Sequence, residues 1–328
     1  MKSNTVLITG GAGYIGSHVL SFFLKKNIKV IVLDNLSTGE KKFIPKNVKF
    51  LKVDLLDKKK LTQKLKKINF STIIHLAANI DVVESELIPN KYLVDNVEMT
   101  QNIIDIAILK KVKNFLFSST AAVYGDSKKI KVSENDKIEP TSNYGLGKFF
   151  CEKIIEKCCK ENNINYAILR YFNVVGADVE KKIGQLKKGS LFKNLANNIV
   201  NQRYYLGIYG VNHHTKDGSA LRDYIDVRDL ANIHFCIYEK INKIKKIIIN
   251  CGYAKPYSVI DIVKNFSKLI NVKIKLIKKK KRKGDISKIY ANNFRLINKL
   301  SGWRQLHDIK SSVESSLEWE KYLKFRNK

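Results

Sequence analysis

From its first residues the chain alternates between two periodicities. Short apolar or β-branched runs (Val6–Thr9, Val30–Leu33, Val48–Val53, Thr72–Leu76, Asn114–Ser118 and Tyr166–Arg170) are separated by stretches of helical character, such as Ile15–Lys26, Leu93–Lys111 and Gly145–Glu161. Strands joined through helices pair in parallel, and strands apolar on both pleats need a helical layer on each face. The rhythm predicts an α/β fold with a doubly wound parallel sheet. It breaks after about residue 172, where a Gly- and Lys-bearing loop (176–189) leads to a helical stretch (191–202) and a Tyr-rich segment, Tyr204–Tyr209. Ile247–Asn250 repeats the buried-strand pattern and is expected to rejoin the first sheet. The expected division is a dinucleotide-type part over residues 1–174, with the strand near 247–251 returning to it, and a smaller interleaved α/β part over 175–328.

Composition narrows the alternatives. With 328 residues, 44% hydrophobic content and only 4 Pro, the chain can bury a large core and is not a disordered one. It has no run of about 18 apolar residues, so no membrane span is expected. The opening MKSNTVLITG reads as strand and turn instead of a secretory leader, which leaves the cytoplasm as the expected compartment. The 5 cysteines form no CxxC pair and have no His at ligand spacing, so reduced thiols and no metal are expected. Net charge is +31, which by itself suggests an anionic partner. However, only eight of the 61 basic residues are Arg, the better forked ligand for phosphate and bases. A Lys-skewed surface fits drift of exposed positions, and no specific nucleic-acid partner is expected.

Residues 9–18, TGGAGYIGSH, follow a strand and open a helix, which places Gly10, Gly13 and Gly16 in a phosphate-loop spacing. The first glycine permits the tight turn, the second close approach of a pyrophosphate, and the third close helix–sheet contact. The helix amino terminus adds unpaired N–H groups and a partial positive charge. Asp34 ends the next strand, 18 residues after Gly16, where a carboxylate accepts both ribose hydroxyls and repels a 2′-phosphate. Asn35 and Leu36 follow it and no Arg does, so the cofactor is expected to be NAD, not NADP. Asp54 ends a further strand at the same edge and is read either as an adenine contact or as a helix cap.

Tyr144 and Lys148 are four residues apart at a helix start, so their side chains share one face. A neighbouring ammonium favours phenolate, and the spacing therefore predicts a Tyr144 acidic enough to act as a base. In a Lys-rich chain that spacing alone is common. Thr120, which ends the strand FLFSST at the cofactor edge, adds a hydroxyl able to share a substrate proton. Together the three residues read as a site for oxidising an alcohol beside NAD.

TGGAGYIGSH, LDNLSTG, HLAA, SSTAAVYGD, YGLGK, RYFNVVGA, DGSALRDYIDVRDLA, KGD (283–285) and LSGW occur in order across nearly the whole chain. Through them the sequence resembles the extended short-chain dehydrogenase/reductase family, and within it the nucleotide-sugar 4-epimerases. The resemblance implies a Rossmann-type sheet and retained NAD. It also implies inversion at C4 of a UDP-hexose (UDP-glucose or UDP-galactose) through a transient 4-keto sugar. The alternative is a UDP-N-acetylglucosamine 4-epimerase or another nucleotide-sugar epimerase or dehydratase of the same family. Dehydratases and decarboxylases of the family carry acids just after the Thr; here Ala121 and Ala122 stand there.

The same resemblance distributes roles. Tyr144 would take the 4-hydroxyl proton, Thr120 would hydrogen-bond that oxygen, and Lys148 would hold the nicotinamide ribose. Tyr14, Ile15, Asn35, Leu55, Asn96 and Tyr171 join the glycines, Asp34 and Asp54 around NAD. Arg222 and Arg282 would clamp the diphosphate, Tyr209 would lie beside uracil and Asp285 at its ribose, and Asn173, Ser190 and Leu191 would touch substrate. Ile289 takes the place of a large Tyr that limits the hexose pocket in bacterial epimerases, and Ile80 that of a Lys in some members. The run Lys278–Lys283 reads as a surface loop carrying Arg282 inward. A homodimer through helices near 93–111 and 145–161 is implied, with Val97, Ile104 and Ile108 as the candidate apolar stripe.

Overall fold

The structure, a computed structural model, describes residues 4–281 and 286–326. In chain order the first half runs β1 (Val6–Thr9), α1 (Tyr14–Lys25), β2 (Val30–Asp34), β3 (Lys49–Lys52), α2 (Lys58–Leu65), β4 (Thr72–His75), α3 (Val82–Leu87), α4 (Pro89–Leu93), α5 (Asp95–Leu109), β5 (Asn114–Thr120), β6 (Lys131–Val132), α6 (Asn143–Glu161) and β7 (Asn165–Tyr171). The second half runs β8 (Asn173–Val175), α7 (Leu191–Val200), β9 (Tyr205–Tyr209), β10 (Leu221–Asp226), α8 (Val227–Ile244), β11 (Lys246–Cys251), β12 (Pro256–Ser258), α9 (Val259–Ile270), β13 (Lys275–Lys279), β14 (Lys288–Ala291), α10 (Phe294–Lys299) and α11 (Ile309–Arg326).

Seven strands form one parallel sheet in the order β11-β7-β5-β4-β1-β2-β3, a Rossmann-type arrangement. Its strands are apolar on both pleats because both faces are covered. Along β1, Val6 and Ile8 join one buried cluster with α1 and α8, while Leu7 joins another with α2, α5 and α6. Truncating such a residue to Ala costs about 2–5 kcal/mol. Strand β11 pairs with β7 in register Ile247↔Ala167, so the late strand does return to the first sheet. From β1 the chain winds outward to β3, then crosses back to β4 and winds the other way. The resulting switch point lies between β1 and β4, the place where open α/β sheets bind ligands at their strand carboxyl ends.

Beyond this sheet, β12-β10-β14-β6 form a smaller one with β8 on the side of β10, and β9 pairs with β13. Helices α7, α9 and α11 share an apolar cluster with β9 and β10. Two expectations change here. The helix read over Leu93–Lys111 is interrupted at Val94, and Ile104 of its stripe is wholly buried on the chain's own sheet, with Val97 and Ile108 packed against the same core. That stripe is therefore not an open face. The Lys278–Lys283 run is also not all loop, because Lys278 and Lys279 end β13, whose backbone pairs with β9 while its side chains stay exposed. Arg282 and Asp285 lie outside the described residues. All five cysteines are free thiols. Among the described residues no helix is long and apolar enough to cross a membrane.

Candidate active site

At the switch point the glycine turn is sterically obligatory. Gly10 has φ +70°, and a Cβ there would lie 2.7 Å from the Ala77 nitrogen. A Cβ on Gly16 would fall 2.0 Å from the Gly10 carbonyl oxygen, so only glycine lets α1 come this close to the turn. Gly13 is the N-cap of α1 and brings no capping side chain, which leaves the first N–H groups of the helix available to an anion. Asp34 is buried, and its two carboxylate oxygens accept the Ala12 N–H (2.9 Å) and the Leu36 N–H (2.8 Å). One bond per oxygen leaves lone pairs for ribose hydroxyls, and burial raises the carboxyl above its ordinary 3.8. The cradle and its acid thus fit a dinucleotide.

Asp54 does not cap a helix. Its Oδ1 accepts the Leu56 N–H and its Oδ2 the Asn35 amide, both at 2.9 Å, while Asp57 caps α2. Leu55 is buried beneath that turn, and Ile15 packs into the core under α1. Tyr14 donates its hydroxyl to the Gly176 carbonyl at 2.6 Å, tying α1 to the loop after β8. Asn96 is buried at the start of α5 and pins Asn79 by both amide groups (2.8 and 3.0 Å), fixing the segment that follows β4. Ile80, next along that segment, is 62% exposed.

The second group sits where β5 ends and α6 begins. Ser142 caps α6 by accepting the Gly145 N–H at 3.1 Å, which starts the helix so that Tyr144 and Lys148 occupy successive turns. The Tyr144 ring stands edge-on to Tyr92, centroids 6.5 Å apart. Burial pushes its phenol up to about 12, and the Thr120 hydroxyl pulls it partly back. Lys148 is buried, donates Nζ–H to the Ser118 carbonyl at 2.9 Å and lies 4.7 Å above the Phe117 ring. Burial lowers its amine to about 8, with Cys151 and Glu152 acting the other way. This corrects the expectation of an acidic Tyr144. The ammonium is turned onto a backbone carbonyl, and desolvation dominates the phenol.

Tyr171 ends β7 and shares a 2.7 Å hydrogen bond with His234, so its hydroxyl is directed into the core. Arg222 on β10 donates to the carbonyls of Leu221 (2.9 Å), Ser287 (3.3 Å) and Ile286, the two residues that follow the undescribed segment. Its register partner across β14 is Ile289, buried in one cluster with Ala121, Phe172 and Tyr124. Ile289 therefore shares one buried cluster with Ala121, the residue that follows Thr120. Asn173 is exposed on β8, and Tyr209 ends β9 under the Lys279 amine, 5.3 Å from the ring centroid. Ser190 is engaged structurally, capping α7 through the Lys193 N–H (3.3 Å) and donating to Gln185 at 2.7 Å, with Leu191 half-buried behind it.

Sequence reasoning passed over His75, which ends β4 at the switch point. Its imidazole bonds the Thr9 hydroxyl at 2.7 Å and lies 3.3 Å from that of Thr100, locking β1, β4 and α5 together below the glycine turn. The signal available was its place in HLAA, at the end of a buried strand.

The sequence profile of the NAD dependent epimerase/dehydratase family matches residues 6–252. The UDP-glucose 4-epimerase of Halalkalibacterium halodurans is 34% identical over 320 residues, covering 96% of this chain and 95% of its own. That of Drosophila melanogaster is 34% identical, covering 98% and 97%. Among solved structures, UDP-glucose 4-epimerase from Bifidobacterium longum in complex with NAD+ and UDP superposes with a TM-score of 0.91. It is 31% identical, with coverage of 97% and 98%. A sheet wound about this switch point, a glycine cradle closed by Asp34, and a match spanning three quarters of the sequence lead to one assignment: the chain belongs to the NAD dependent epimerase/dehydratase family.

Proposed function

We propose that the enzyme inverts C4 of a UDP-hexose, interconverting UDP-glucose and UDP-galactose, with Thr120, Tyr144 and Lys148 as its reacting groups. The observation that carries this reading is the meeting of these three at the β5–α6 edge, with two alanines directly after Thr120. The glycine cradle and Asp34 would hold NAD, which would supply a two-electron acceptor that returns what it takes and, in its oxidised form, a positive charge. Tyr144 acts in its phenolate form, which burial alone disfavours and a bound cationic cofactor would favour: it takes the proton of the sugar 4-hydroxyl at its phenolate oxygen and gives it back when C4 is reduced on the other face. Thr120 orients that hydroxyl. Lys148, held by the Ser118 carbonyl, keeps a cation one helical turn from the phenol. Ala121 and Ala122 can neither remove nor donate a proton, so the 4-keto sugar has no acid–base route to elimination.

The nucleotide must stay gripped while the hexose turns over. Arg222, from the β10 side of the site, supplies a forked donor for the diphosphate, aided by Arg282, while Asp285 accepts from the ribose hydroxyls of UDP. Tyr209 flanks the uracil, and Asn173, Ser190 and Leu191 lie along the sugar side. Residues 1–174 with the strand near 247–251 act as the NAD-binding part, and 175–328 as the UDP-sugar part. The five free thiols suit a reducing compartment such as the cytoplasm.

Protein incubated without added NAD is expected to convert UDP-galactose to UDP-glucose, followed at the anomeric protons by NMR. Faster conversion of UDP-N-acetylgalactosamine in the same tube would shift the substrate to the 2-acetamido sugars and make Ile289 the residue that admits them. Silence from both with NAD added would sink the epimerase reading.

A homodimer is part of the same proposal. Val94, Leu109 and Phe150 are 52%, 64% and 43% exposed on or beside α5 and α6, and a twofold pairing of these helices would cover them. Light scattering behind size exclusion should give twice the 37.6 kDa chain mass and revert to one chain mass for Phe150→Glu. A wild-type monomer would end that part.

A further inference from the structure

Tyr144, Lys148 and Glu152 recur every four residues along α6, and Ser118, Ser119 and Thr120 are consecutive on β5. The two series interlock. The Ser118 carbonyl holds Lys148 at 2.9 Å, the Ser119 hydroxyl donates to Glu152 at 2.5 Å, and Thr120 faces Tyr144. Glu152 is fully buried and is gripped from its other side by Arg170 of β7, with Nε–H to Oε1 at 3.0 Å and Nη2–H to Oε2 at 2.7 Å. Arg170 then reaches on to the turn after Thr120, donating to the Tyr124 hydroxyl (3.0 Å), and to the segment after β6, donating to the Glu134 carbonyl (3.2 Å). Tyr124 donates its hydroxyl in turn to the Asn250 Oδ1 of β11 at 2.6 Å. One buried ion pair therefore ties α6, β5, β7 and the Thr120 turn into a single rigid frame.

We propose that Glu152 and Arg170, linked through Ser119, are positioning residues. They fix the axial register of α6 against β5 and so hold Tyr144 and Thr120 in reach of the same substrate oxygen. A buried pair adds little stability over apolar side chains of similar volume, and its directional bonds are what apolar residues lack. Neither residue touches the reacting atoms. This inference rests on the reading of Thr120, Tyr144 and Lys148 as the reacting groups.

The test is the charge-balanced double variant Glu152→Leu/Arg170→Met, which leaves no buried charge unpaired. Its melting temperature and its affinity for NAD and UDP are expected to stay near wild type. Its kcat should fall about tenfold or more with unchanged KM for the UDP-hexose, because a small misplacement of reacting groups is costly. The ultraviolet titration of the Tyr144 phenol, read against Tyr144→Phe, should move upward as the pull of Thr120 is lost. A folded double variant with wild-type kcat and an unmoved phenol midpoint overturns the proposal. Should the double variant not fold, Ser119→Ala decides, since it removes one link and no charge: a kcat equal to wild type overturns the proposal, and a loss without a change in KM supports it. Absence of turnover in the wild type would count against the epimerase reading alone, because the phenol midpoints of wild type and variants still judge the positioning.

Discussion

Tyr144→Phe is expected to fold, to bind NAD and UDP as the parent does, and to turn over UDP-galactose about 10³-fold more slowly. The change deletes one oxygen. The ring keeps its edge-on contact with Tyr92, and α6 keeps its Ser142 cap, so neither the packing nor the helix start is disturbed. What is lost is the phenol hydrogen-bonded to Thr120, and removal of a positioned acid–base group typically costs 10²–10⁴-fold, roughly 3–5 kcal/mol of barrier. Because that group acts most strongly in the transition state, kcat and kcat/KM should fall together while KM barely moves. Steady-state rates with calorimetric UDP binding on the same preparation decide it. Unchanged turnover would remove Tyr144 from the mechanism. Lys148→Ala is a less clean test, because it empties a buried site and strands the Ser118 carbonyl that the amine now satisfies.

How much of this was legible in the sequence depends on the range of the interaction. Strands such as Val6–Thr9 and Thr72–Leu76 were visible because burial on both faces forces an unbroken apolar run, and Ile247–Asn250 could be assigned to the first sheet for the same reason. The glycine turn and Asp34 were visible because sterics and charge leave one residue type at each place. The Tyr144–Lys148 spacing correctly put two side chains on one helix face, yet it misjudged their electrostatics. Spacing gives proximity but carries no information about desolvation or about the Ser118 carbonyl that takes the amine.

Other readings missed for related reasons. Ile104 sits on a helical stripe that could equally face a partner or the chain's own sheet, and only the packing of α5 on β4 and β5 decides. The cap alternative for Asp54 failed because Asp57 caps α2 instead, and Asp54 closes its own turn through the Leu56 N–H while also accepting from Asn35. The frame of Glu152, Arg170 and Ser119 was hidden because its members are 18 and 33 residues apart and meet only once the sheet is built.

Acid is expected to weaken the fold steeply from below about pH 6.5, before ordinary carboxylates begin to take up protons. His18, His75 and His234 are buried, and burial lowers their imidazoles from 6.5 to about 4, 3 and 4. The Lys148 cation adds to the effect at His75. In each case the folded value lies below the unfolded one, so between pH 6.5 and about 4 the unfolded chain binds more protons. The stability is fully present above 6.5 and drains as pH falls towards the folded values. Each histidine costs about 1.4 kcal/mol per pH unit in that window, so the three remove about 8 kcal/mol by pH 4.5. Asp223 opposes them: burial lifts it from 3.8 to about 6, so it binds its proton in the fold first and returns about 2 kcal/mol over the same range. The net loss of about 6 kcal/mol is comparable with the 5–15 kcal/mol that holds a typical domain together. Urea midpoints at pH 7, 6, 5 and 4.5 should therefore fall steeply. His18→Leu should flatten the slope by about a third of the histidine contribution, since one ring nitrogen of His18 has no partner to lose. A midpoint that stays level down to pH 4.5 would mean that these rings accept protons inside the fold, and that burial does not hold them neutral.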